Sequence, residues 1–125
     1  VNAKNSEGTT VLMNASRFGS PAIFQLLLAR GADVNSKNND GTTAVMNAAF
    51  NGNADATRIL LENGADVNAN LTEYGDTALI SAAGRGHADV VRLLIEKGAN
   101  LSARDNDGKT ALMSATERSE NVRLL

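Results

Sequence analysis

Chemistry in this chain would have to be built from very few reactive groups. There is one histidine, His87, and no cysteine, which excludes a thiolate nucleophile, a disulfide and a cysteine zinc site. A single imidazole does not make a zinc centre. Ser81 and Ser114 are the hydroxyl candidates, but no histidine recurs beside them to act as a base. Asp33, Asp66 and Asn100 recur in a loop phrase, unpaired with any nucleophile. The G-x-T phrases lack the Gly-Lys-Ser/Thr that a phosphate loop needs. Catalysis is therefore set aside, and neither a cofactor nor a metal is expected.

The elements that would position any site come from repetition. Gly8, Gly41, Gly75 and Gly108 recur at separations of 33, 34 and 33 residues, opening GTTVLMNAS, GTTAVMNAA, GDTALISAA and GKTALMSAT. LLLARGADVN, ILLENGADVN and LLIEKGANLS return with the same period. A fixed period in this range marks a stacked array of one supersecondary unit. Asn5-Ser6-Glu7-Gly8 and Asn38-Asn39-Asp40-Gly41 are turn-formers. Thr10, Thr43, Thr77 and Thr110 are placed to cap a first helix. Gly19, Gly52 and Gly86 are expected to end it. Pro21 suits the opening of a second helix, which Gly31, Gly64 and Gly98 close in successive units.

Composition narrows the partners. Aromatics are 3 % against 42 % hydrophobic residues, so the core must be aliphatic and its helices thin. A net charge of −2 supplies no basic stripe for a phosphate backbone. No apolar run approaches the length of a membrane span. Neither nucleic acid nor membrane is an expected partner.

Phased in four copies, the motifs G-x-T-x-L, A-A, the intra-unit Gly and L-L-x-x-G-A-D-V-N resemble the ankyrin-repeat family over essentially all 125 residues. The resemblance implies an all-α ankyrin-repeat solenoid of stacked helix-turn-helix units with short β-hairpin-like loops. The units are expected at about 3–35, 36–68, 69–102 and 103–125, the last incomplete. Val1-Asn2 matches Val34-Asn35 and Val67-Asn68, and Leu125 falls inside a second helix, so a segment of a longer array is expected. Two departures are local. An extra residue lies within 69–73, and two residues are missing before the final helix. Met13, Met46 and Met113, with Ile80, stand where the family typically has a histidine. The resemblance implies that the bond from that histidine to the Thr is lost, with an apolar residue filling the core instead. His87 falls in the family's Gly-His turn, where a structural role outweighs a catalytic one.

The family's function is to bind another protein through a concave face of hairpin tips and first helices. Carried over residue by residue, that face comprises Glu7, Thr9, Arg17 and Phe18 in the first unit, and Asp40, Thr42, Phe50 and Asn51 in the second. Glu73, Tyr74, Asp76 and Arg85 follow in the third, and Asp107, Lys109 and Arg118 in the fourth. Aromatics and arginine are enriched at binding hot spots, and Phe18, Phe50 and Tyr74 all fall in this set; Phe24 alone is expected inside. Asn35 and Asn68 resemble the asparagines that some family members carry in hydroxylated form. The expected role is a non-catalytic, monomeric, cytoplasmic protein-binding module. The alternatives are a structural spacer, a modification-substrate segment of a larger protein, or an engineered ankyrin-type scaffold.

Overall fold

A computed structural model describes residues 2–69 and 75–116, apart from the side chains of Phe18 and of 114–116. The chain runs as helix pairs: α1 (Val11–Phe18) with α2 (Pro21–Ala29), α3 (Ala44–Phe50) with α4 (Ala54–Glu62), α5 (Ala78–Arg85) with α6 (Ala88–Glu96), then α7 (Ala111–Thr116). Among the described residues there is no strand. First helices stack in one row, α1 on α3 on α5 on α7, and second helices in another, α2 on α4 on α6. The longer hairpin around 70–74 and the shortened turn beyond 116 lie outside the described residues.

Each first helix begins as its sequence requires. The hydroxyl of Thr10 accepts from Met13 N at 3.3 Å, that of Thr43 from Met46 N at 3.4 Å, and that of Thr77 from Ile80 N at 3.2 Å. Such a cap contributes typically about 1 kcal/mol. The methionines do more than fill space. The Thr10 and Thr43 backbone N–H groups each donate to a methionine sulfur, Met13 Sδ and Met46 Sδ, at 3.5 Å. A thioether is a weak acceptor, but it closes a reciprocal cap with the Thr. A weak bond to Thr thus remains in the first two units, and Met13 and Met46 stay buried.

The first-helix row is thin because its contacts are alanines: Ala44, Ala48, Ala49, Ala78, Ala82 and Ala83 are all buried. Between the rows lie Leu12, Phe24, Leu60, Leu79, Val91 and Leu94, each essentially inaccessible to water. Fully burying side chains of this kind stabilises by roughly 1.5–3 kcal/mol each. Phe24 is internal, as its position implies.

Gly52 and Gly86 follow α3 and α5 with φ of 71° and 80°, the left-handed conformation that glycine adopts without strain. Gly19 differs: it ends α1 in extended backbone at φ −66°. Ser20 is also extended and Pro21 opens α2, so the chain enters the second helix through a proline-fixed start in place of a left-handed turn.

Candidate protein-binding surface

The hairpin tips are built alike. Asn5 Oδ1 accepts from Glu7 N at 2.9 Å and Thr9 N at 3.0 Å. Asn38 Oδ1 does the same for Asp40 N and Thr42 N, and Asp105 Oδ1 for Asp107 N and Lys109 N, all at 2.9 Å. One side-chain oxygen thus satisfies two turn N–H groups. This holds Glu7, Thr9, Asp40, Thr42, Asp107 and Lys109 at exposed or half-buried tips. Successive tips are tied together: Asn39 N donates to Glu7 O at 2.9 Å, and Asn39 Nδ2 to Ser6 O at 3.1 Å.

Phe50 stands at the C-terminal end of α3, 42 % exposed. The Arg85 guanidinium of α5 lies over its ring, 3.7 Å from the centroid, a geometry attractive for cation and π face. His87 Nε2 is 2.9 Å from the Phe50 carbonyl oxygen, so the imidazole is used in holding one helix pair to the next. In the preceding pair Asn53 occupies the same place. Its Nδ2 donates to Gly19 O at 3.4 Å while its Oδ1 caps α4 through Ala56 N.

Two cavities open along the first-helix face. One, of about 200 Å³, brings together Arg17, Thr42, Phe50, Asn51 and Asp76, and is completed by Met46, Asn47 and Ser81. The other, of about 280 Å³, adjoins it through Phe50 and Asp76 and adds Arg85, Asp107 and Lys109. Eight residues expected from the sequence therefore converge on one surface. Glu7, Thr9 and Asp40 line neither cavity and stay at the tips. The Phe18 side chain, Glu73, Tyr74 and Arg118 lie outside what the structure describes.

Other groups on this surface escaped sequence reasoning. Met46 and Ile80 reach the cavities from positions read as core, Asn47 from an ordinary helix site, and Ser81 from one weighed only as a nucleophile. Asp105 had a legible signal, since it replaces the asparagine of the earlier turns, Asn5 and Asn38, with a carboxylate. That charge is felt by Asp76, whose carboxyl is held above its ordinary 3.8 first by burial, then by Asp105 and Asp107. Both causes disfavour the ionised form.

A family model described as ankyrin repeats (3 copies) matches residues 1–71 and 68–125. The chain belongs to the ankyrin-repeat family. No curated protein matches it significantly. Ankyrin repeats are generally protein–protein interaction modules. In this ankyrin array Asn35 Nδ2 donates to Gly64 O at 3.0 Å, while Asn35 Oδ1 accepts from Asp66 N at 2.7 Å. Asn2 makes the same pair of bonds to Gly31 O and Asp33 N, and Asn68 Oδ1 accepts from Asn100 N at 2.7 Å. These asparagines are the rungs between ankyrin loops. Among the described residues, no group of three or more His, Cys, Asp or Glu side chains is placed to hold a metal ion, and no helix is long and apolar enough to cross a membrane.

Proposed function

We propose that this ankyrin array, of four units near 3–35, 36–68, 69–102 and 103–125, is a non-catalytic, monomeric module that binds another protein through its hairpin tips and first helices. Phe50 carries the reading. It is a large aromatic side chain kept at the surface, anchored at its carbonyl by His87, backed on its ring by Arg85 and set at the junction of two cavities. An aromatic and an arginine held together at the centre of a surface are the groups that typically dominate binding energy. Rigid stacking lowers the ordering cost of association.

The test compares the wild-type chain with the Phe18→Ala/Phe50→Ala variant. A partner captured by the wild type is titrated against both proteins by calorimetry. Affinity is expected to fall at least tenfold while the melting temperature changes little. Retained affinity in the double variant, or collapse of its fold, counts against the surface.

Reading Asn35 and Asn68 as modification sites is the weaker account. Both ends of the Asn35 amide are occupied by the neighbouring loop, so a modifying enzyme would first have to open the array. Intact-mass measurement on cell-derived protein, looking for added oxygen, decides it.

A further inference from the structure

The two cavities along the first helices meet at Phe50, Asp76 and Ser81. Each is small, about 200 and 280 Å³, and each can take an inserted side chain. One side of the junction is apolar, formed by Phe50 with Met46 and Ile80. The other is acidic, with Asp76 from one hairpin and Asp105 and Asp107 from the next.

The acidic side is electrostatically unfavourable as it stands. Arg85 and Lys109 line the same cavity and Arg17 the adjoining one, so positive charge is near. Asp105 and Asp107 raise the Asp76 carboxyl in the same sense as its burial. An incoming cation would favour the ionised form of Asp76. An acidic group placed among Asp76, Asp105 and Asp107 would meet repulsion instead.

We propose, building on the protein-binding reading above, that this junction receives a lysine or arginine side chain from a partner polypeptide. Its charge lies among Asp76, Asp105 and Asp107, and an adjoining apolar residue packs on Phe50 and Met46. The partner is thus a segment in which a basic residue neighbours an apolar one.

A selection from a random-peptide display library against the intact 125-residue chain tests this. The wild type is expected to enrich peptides carrying Lys or Arg beside an apolar residue. Their affinity should fall at least tenfold on Asp76→Thr/Asp105→Asn, with a steeper salt dependence for the wild type. Each of these substitutions introduces a residue that earlier units carry at the same place, Thr9 and Thr42 or Asn5 and Asn38, so the turn bonding is retained. Asp107→Asn, at an exposed tip, is a second variant, and thermal melts check that both fold. Peptides without basic residues, or equal binding to the charge variants, overturn the cation proposal. If such peptides still lose affinity on Phe50→Ala, the binding surface itself stands. Peptides indifferent to Phe50→Ala, or no enrichment at all, overturn both readings.

Discussion

Two exposed edges of the array differ in what their side chains are bonded to. Along the loop edge, Asn2 and Asn35 each use both ends of the amide on the next loop. Along the first-helix face, Phe50, Asp76 and Asp107 converge on cavities that no part of the described chain fills. The loop-edge residue is the same in successive copies, Asn2, Asn35 and Asn68. At the first-helix face, one repeating position carries Thr9, Thr42, Asp76 and Lys109, three residue types in four copies. The repeated asparagines are consumed in joining one loop to the next, whereas Thr42, Asp76 and Lys109 at the varying position line the cavities. Exposure alone does not distinguish them.

The sharpest way to break this comparison uses the two phenylalanines. Phe24→Ala should cost about 3–5 kcal/mol, because a fully buried ring leaves a cavity behind. Phe50→Ala should stay within roughly 1 kcal/mol, since the ring is already partly in water. Urea titrations of both variants measure the contrast, and equal losses would make Phe50 a core residue.

Next in size is the loop ladder. Asn35→Ala removes two hydrogen bonds between loops, each with a net value of about 0.5–1.5 kcal/mol. Asn51→Ala removes only a bond to the Asn47 carbonyl on its own helix and should change stability by under about 0.5 kcal/mol. Chemical denaturation showing both equally costly would erase the distinction between the edges.

A glycine pair sharpens the role of His87. Gly31→Ala and Gly52→Ala both force a Cβ into left-handed backbone, at φ 88° and 71°, at about 1–2 kcal/mol. Gly31 faces open space, whereas a Cβ on Gly52 would lie 2.7 Å from His87 Nδ1. Gly52→Ala should therefore melt lower, and His87→Ala should narrow the difference. An unchanged gap would show that the imidazole yields freely.

The smallest effect is that of pH on Asp76. Its folded carboxyl titrates above the ordinary 3.8, so just above that pH the folded chain holds more protons than the unfolded one. Stability from this group is fully present below 3.8 and is lost as pH rises through the raised value. Asp76→Asn should flatten that slope and make the chain slightly more stable at neutral pH, as thermal melts across the acid range would show. A flatter slope in the wild type would contradict the raised titration.

The local features were legible from short stretches. Thr10 caps α1 and Pro21 opens α2 because a cap needs only a hydroxyl near free N–H groups, and a helix start only a suitable φ. Gly19 shows the limit of such reading, because its extended conformation depends on the Ser20-Pro21 segment that follows. The thioether bonds of Met13 and Met46 could not be read from residue type alone, since sulfur serves as an acceptor here only because the helix turn brings it to the Thr N–H.

By itself, the sequence determined the period, the capping and the turns, since each follows from bonding within a few residues or from spacing repeated along the chain. Only the tertiary structure decided which of the variable residues meet. Arg85 covers Phe50, His87 holds its carbonyl, and Asp105 and Asp107 act on Asp76. These are interactions across successive repeats, set by the stacking of one helix pair on the next, and no local pattern encodes that distance.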